Sequence, residues 1–153
     1  MSAIRLRKAK VADLPILYSF EQGIVEAERP FDETLKTGHI NYYDIKVMIE
    51  SEETEVIVAV TDRDVIGSAY LNIRPAKEYV KHSHFGYLGF MYVRPVYRGR
   101  GVSKKIIEEI KNILRTKNIS ELYLDVYSEN EPAISAYEKA GFKKHMINMR
   151  VRI

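Results

Sequence analysis

The chain has 153 residues, about the length of one domain, and enough to bury one continuous core without covalent staples. Apolar residues make up 46% and charged residues 29%, too apolar a mixture for disorder, while 24 Lys and Arg against 21 Asp and Glu leave a surplus of only +3, a weak basis for nucleic-acid binding. Cysteine is absent, which excludes disulfides, thiolate zinc sites and a cysteine acyl-enzyme.

The opening MSAIRLRKAK alternates apolar and basic residues, which fits neither a signal peptide nor an anchor. Ile4 and Leu6 between Arg5 and Arg7 predict a short first strand, and Leu14, Leu17, Tyr18 and Val25 recur at helical spacing behind a Pro15 suited to a first turn. In the less regular stretch from Arg29 to Glu53, Asp32 is a candidate cap for a segment carrying Leu35, and a second helix is expected near Tyr42 to Ile49. The β-branched run from Glu55 to Ile73, broken at Thr61-Asp62-Arg63-Asp64, predicts a hairpin.

A polar connection with Pro75, Lys77 and Lys81 leads to another strand from His84 to Val93, which stops before Pro95. Ile106, Ile107, Ile110, Ile113 and Leu114 mark one face of an amphipathic helix over Val102 to Lys117. A strand from Glu121 to Tyr127, a helix from Pro132 to Ala140 stopped by Gly141, and a last strand in FKKHMINMRVRI complete the pattern. With no repeat or linker, the chain reads as one domain over 1–153, a mixed α/β arrangement around a central sheet. No run of about 18 apolar residues occurs, so no membrane span is expected and a cytoplasmic protein is the default.

The stretch Val93-Arg-Pro-Val-Tyr-Arg-Gly-Arg-Gly-Val-Ser-Lys104 is a strand end followed by a basic, glycine-punctuated turn that opens a helix. Unpaired amides and partial positive charge at a helix start suit a pyrophosphate, with Arg98, Arg100 and Lys104 adding to the field. An ordinary turn with solvated arginines fits the loop alone equally well. Downstream stands a second constellation, Asn130, Ala133, Tyr137, Gly141 and Phe142.

Together the two resemble the GNAT superfamily of acyl-CoA-dependent N-acetyltransferases. Arg98-Gly99-Arg100-Gly101-Val102-Ser103 matches the family's Q/R-x-x-G-x-G/A motif at all but the last place, and the downstream residues match N-x-x-A-x-x-x-Y-x-x-x-G-F in full. The resemblance implies a mostly antiparallel six- or seven-stranded sheet with splayed fourth and fifth strands and about four helices. It implies acetyl-CoA as cosubstrate and no metal. Met91, Tyr92 and Val93 would then pair with the pantetheine arm, residues Gly99 to Lys104, including Val102 and Ser103, would hold the pyrophosphate, and Asn130 would bind the arm or cap its helix. Ser103 replaces a smaller residue at the phosphate, where its hydroxyl is able to donate.

By the same resemblance Tyr137 is the general acid that protonates the leaving thiolate; spacing alone would also allow a core aromatic. The base is less plain. Many relatives carry a glutamate on the fourth strand where this chain has Gly89 and Phe90. Asp125 is the substitute if its strand face lines the cleft, and Glu26 and Glu28 are rivals that either take the proton or attract a cationic amine. His39, His82, His84 and His145 lack metal-ligand spacing and read as solvated or packing residues.

Only eleven residues follow Phe142, too few for the usual closing pair of strands, so the cleft is either more open or completed by a second subunit in a homodimer. The expected activity is transfer of acetyl from acetyl-CoA directly to a primary amine through a ternary complex. The competing reading is a degenerate acyl-CoA sensor without turnover.

Overall fold

The computed structural model describes residues 3–153. Its elements in chain order are β1 (Arg5–Lys8), α1 (Leu14–Glu28), α2 (Ile45–Glu50), β2 (Thr54–Val60), β3 (Val65–Pro75), β4 (His84–Val93), α3 (Val102–Thr116), β5 (Leu122–Tyr123) and α4 (Glu131–Lys139), with three single-turn 3₁₀ segments between them. The strands form one sheet in the order β1-β2-β3-β4-β5. The first three pairings are antiparallel, and β4 pairs β5 in parallel after the α3 crossover.

The two sheet faces carry separate apolar clusters. On one, Ile106, Ile107, Ile110 and Leu114 of α3 pack on Ile57, Ala59, Leu71 and Leu88, because the helix repeat brings those residues onto one stripe. On the other, Leu14, Leu17 and Phe20 of α1 cover Val56, Val58, Tyr70 and Phe90. Alternation along β2 thus sends neighbouring residues to opposite cores.

The hairpin expected at Thr61 to Asp64 is present, closed by the Thr61 N–H on the Asp64 carbonyl at 2.9 Å. Four expectations are corrected. The sheet has five strands among the described residues, not six or seven. The strand expected from Glu121 to Tyr127 is paired only at Leu122 and Tyr123, opposite Gly86 and Tyr87, because β4 and β5 diverge beyond that point. The closing FKKHMINMRVRI belongs to no strand, since no backbone hydrogen bond joins residues 143–153 to another described residue. Finally, Asp32 caps no helix: its carboxylate accepts from the Thr34 N–H at 3.0 Å and closes a turn, while the helix expected near Tyr42 begins at Ile45, capped by Asp44.

One feature of β4 shapes the cleft. Gly67 faces Val93 and Ser68 faces Tyr92, but Tyr70 faces Gly89, so β4 carries one extra residue in a bulge. Phe90 sits there in the left-handed region, at φ 55°, with its carbonyl held by the buried Ser68 hydroxyl at 3.0 Å. The bulge bends β4 just where β5 leaves it.

Candidate active site

From Leu88 to Val93 the β5-side edge of β4 has no strand neighbour, so its main chain lines the open side of the splay. Met91, Tyr92 and Val93 lie on this edge. The Val93 carbonyl already accepts from Arg98 Nε at 2.9 Å, and the Arg98 guanidinium lies 5.6 Å over the Tyr92 ring. Arg98 therefore braces the turn as well as charging it.

The turn reaches α3 through two glycines, Gly99 at φ 76° and Gly101 at φ 77°, both in the left-handed region that side chains disfavour. A Cβ at either would meet nothing within 4 Å, so the glycines serve backbone conformation and leave open space. The first helical bond runs from the Lys105 N–H to the Gly101 carbonyl at 3.0 Å, and no side chain caps the helix. The amides of Val102, Ser103 and Lys104 accordingly have no acceptor within α3, beside the exposed Lys104. Arg100 lies 5.4 Å over the Tyr97 ring. An open amide nest at a helix start with cationic flanks fits a pyrophosphate.

Across the gap, Asn130 caps α4, its Oδ1 accepting from the Ala133 N–H at 3.3 Å, which leaves its NH₂ as a donor. Tyr137, two turns on, packs beside Phe142 with ring centroids 5.8 Å apart. Burial, with the charge of Glu28 adding to it, raises the Tyr137 hydroxyl to about 12. The placement is that of a packed aromatic whose hydroxyl keeps its proton.

The three carboxylates separate cleanly. Asp125 is exposed and accepts from the Tyr87 hydroxyl at 2.7 Å, tying β4 to the chain after β5. Glu26 is exposed on the outer face of α1, bonded to Arg29 Nε at 2.8 Å beside an open depression of about 550 Å³ with Gln22 and His39. Glu28, at the end of α1, is half-buried. Burial raises its proton affinity above the ordinary carboxylate range; the Tyr42 hydroxyl opposes that rise and the Asp32 charge adds to it. The Tyr42 hydroxyl itself is buried without a partner of good geometry.

Sequence reading missed the support for this corner. Glu21, 1% exposed in the middle of α1, accepts from the backbone N–H groups of Tyr42 and Tyr43 at 2.9 Å each, and Gln22 Nε2 donates to the Ile40 carbonyl at 2.6 Å. The irregular chain before α2 is thereby pinned to α1, and Tyr43 packs edge-on against Tyr70 and Phe90. A charged residue inside an apolar helix stripe was the available signal. Gly89 has a reason too: a Cβ there would lie 2.4 Å from the Tyr70 ring, which fills the place where a fourth-strand glutamate would project.

Comparison with known proteins settles the family. The model of the acetyltransferase (GNAT) family matches residues 18–142. The chain belongs to that family. Among curated relatives of this GNAT chain, N-alpha-acetyltransferase 30 of Saccharomyces cerevisiae is 35% identical over 57 residues, 37% of this chain and 32% of the relative. An N-alpha-acetyltransferase of Sulfurisphaera tokodaii is 24% identical over 141 residues, 92% of this chain and 80% of the relative. The chain thus spans about a third of the first relative's length. Of solved structures, a mutant of the BH1408 protein of Bacillus halodurans superposes with TM-score 0.85 at 22% identity, covering 97% of this chain and 99% of that one. A predicted acetyltransferase of Clostridium acetobutylicum with acetyl-CoA gives 0.72 at 19%, covering 98% and 96%. Both share the GNAT fold. Among the described residues no cluster suited to a metal and no helix long and apolar enough to cross a membrane occurs.

Proposed function

We propose that the chain, as one catalytic domain over 1–153, transfers the acetyl group of acetyl-CoA directly to a primary amine in a ternary complex. The observation that carries this reading is the open run of amides at the start of α3, reached by a glycine turn directly from the unpaired edge of β4, in a chain of the GNAT family. The amides of Val102 to Lys104, with Gly99 to Gly101, hold the pyrophosphate, Met91 and Tyr92 offer main chain to the pantetheine arm, and Asn130 donates to it.

The thioester supplies an electrophilic carbonyl and a thiolate leaving group. As the nitrogen-carbon bond forms, Glu28 accepts the proton shed by the amine; its raised proton affinity brings it nearer to the working pH than an ordinary carboxylate. Tyr137 donates its proton to sulfur as the carbon-sulfur bond breaks, and it retains that proton throughout the neutral range because its hydroxyl lies at about 12. Return of the proton from Glu28 to the phenolate, directly or through water, resets both groups. Asp125, already engaged by Tyr87, latches the strands together in this scheme, and Glu26, turned outward onto Arg29, contributes at most to attracting a cation.

The test is release of CoA thiol from acetyl-CoA across a panel of small amines, aminoglycosides and peptides. Turnover with at least one amine, lost on Glu28→Gln, is the expected result. Saturable acetyl-CoA binding with no release at any amine would favour the sensor reading, and no binding at all would sink the donor assignment.

A further inference from the structure

Among the described residues the half-buried arginines are Arg7, Arg29, Arg74 and Arg94. Three of them face a carboxylate: Arg7 lies 2.8 Å from Asp13, Arg29 2.8 Å from Glu26 and Arg94 4.0 Å from Asp64. Arg74 does not. Its Nε donates to Asn72 Oδ1 at 2.8 Å, its guanidinium lies 4.0 Å over the Tyr87 ring, and the Tyr70 hydroxyl approaches it. Among the described residues, however, no carboxylate comes within ion-pair distance of Arg74, and neither of its Nη atoms has an acceptor of good geometry. A guanidinium taken part-way out of water without a counter-charge is costly, and its planar fork is shaped for a carboxylate.

The sheet puts this cation on the same side as Glu28. β3 and β4 keep a regular antiparallel register from Tyr70 opposite Gly89 to Arg74 opposite Phe85, so Tyr70, Asn72 and Arg74 share one face with Tyr87. That face is the one covered by α1, at whose end Glu28 lies. A run of neighbouring rings leads from one group towards the other: Arg74 over Tyr87, Tyr87 with its centroid 6.2 Å from that of Tyr70, and Tyr70 5.6 Å from Tyr43. The charge of Arg74 acts on the Tyr70 and Tyr87 phenols and that of Glu28 on Tyr43, so a positive and a negative group stand at opposite ends of the run. Asp125, at the hydroxyl end of Tyr87, accepts from that hydroxyl at 2.7 Å and forms no ion pair with Arg74.

We propose that Arg74 is a specificity residue of the acceptor site, taking a carboxylate that the substrate carries remote from its reacting amine. This rests on the acetyl-transfer reading, in which the amine is delivered to Glu28. An α-amino acid, with both groups on one carbon, is too short to meet both ends of the ring run. An ω-amino acid or a short peptide with an acidic side chain is long enough, since at about 3.3–3.6 Å per residue a few extended residues cover the distance. A molecule with its cation and its anion at opposite ends complements the site, whereas a diamine or an aminoglycoside would set a second cation against Arg74.

Matched pairs differing only in the remote carboxylate test this. Wild type is assayed for CoA release with 6-aminohexanoate against 6-aminohexanamide, and with short peptides carrying Asp against Asn. The carboxylate member of at least one pair should have kcat/KM at least tenfold higher, mainly through KM. Arg74→Met, which keeps an unbranched chain over Tyr87, should bring that ratio to about one, and Arg74→Lys, which keeps the charge without the fork, should leave it between the two. Should Arg74→Met fail to fold by circular dichroism, the Lys variant still reads the ratio. Ligand-observed NMR of 6-aminohexanoate and its amide on wild type and variants gives the same comparison without turnover. Carboxylate-dependent binding that needs Arg74 in a chain that acetylates no amine would uphold this site and remove the acetyl-transfer reading. Turnover with an acid-to-amide ratio near one in every pair, or a ratio unchanged in Arg74→Met, would overturn the role of Arg74 and leave acetyl transfer standing. Neither turnover nor carboxylate-dependent binding would overturn both.

Discussion

Tyr87 and Asp125 are joined at 2.7 Å across the strands that splay apart to make the cleft. The bond lies just beyond the last paired positions, Gly86 with Leu122 and Tyr87 with Tyr123, so it closes the ladder from side chains where the backbone no longer does. The Tyr87 phenol is pushed up from its ordinary value by burial and by the Asp125 carboxylate it donates to.

A latch and a base behave differently on neutralisation. Asp125→Asn keeps an acceptor for the Tyr87 hydroxyl and is expected to leave kcat within about threefold, whereas Glu28→Gln should lower it by about 10² to 10⁴, the range for loss of a general base. The pH dependence adds a second sign. Glu28 must be ionised to accept a proton, so the acid limb of kcat/KM should lie above the usual glutamate value of about 4.3 and vanish in Glu28→Gln. A folded-state value raised above the unfolded one means the native state holds more protons, so this group's contribution to stability falls as pH rises from about 4.3 through its folded value. Glu28→Gln should therefore raise Tm at neutral pH while lowering activity; a variant less stable and fully active would contradict the assignment.

Tyr137→Phe removes the donor and keeps the packing against Phe142. We expect kcat to drop by about 10² with the acetyl-CoA Kd nearly unchanged by calorimetry. With the hydroxyl held at about 12, wild type should show no basic limb from Tyr137 below pH 10. Unchanged kcat in the Phe variant would leave Tyr137 as a core aromatic only.

The turn before α3 can be probed with two substitutions that separate strain from charge. At Gly101, φ 77°, any side chain costs about 1–2 kcal/mol of backbone strain. Gly101→Ala should pay that alone and weaken acetyl-CoA about tenfold, while Gly101→Glu adds a carboxylate against the diphosphate and should abolish binding. Equal affinities for the two variants would place the pyrophosphate elsewhere.

The turn that opens α3 was legible in the sequence because its geometry is local. Two glycines, flanking cations and a helix with a clear stripe of Ile106, Ile107, Ile110 and Leu114 lie within one short stretch, and each is required by backbone geometry. The surroundings of Glu28 are tertiary. Burial raises it, with Tyr42 opposing and Asp32 adding, and neither residue is its helix neighbour, so spacing alone left it level with the outward-facing Glu26. The β4 bulge was hidden for a related reason: Phe90 adopts a positive φ that no composition rule predicts, held by a hydroxyl from Ser68 on the next strand. In residues 143–153 alternation predicted a strand that is not formed, because a strand is made by its neighbour and no described backbone pairs with this stretch.

Glu21 is the positioning residue whose removal should separate amine recognition from donor binding. Its carboxylate is nearly inaccessible and holds both the Tyr42 and Tyr43 amides, fixing the tyrosine beside Glu28 and the one against Tyr70 and Phe90. Glu21→Ala leaves those two amides without acceptors, at roughly 1–3 kcal/mol each where water cannot reach them, and frees the segment they belong to. The amine KM should rise by about tenfold or more and Tm should fall, while acetyl-CoA affinity, set by α3 on the far side of β4, stays within twofold. Glu21→Gln retains one carbonyl acceptor and should recover most of the KM. If Ala and Gln variants raised the amine KM equally, or if both weakened acetyl-CoA as much as the amine, Glu21 would be a stabilising residue of α1 with no part in shaping the acceptor side.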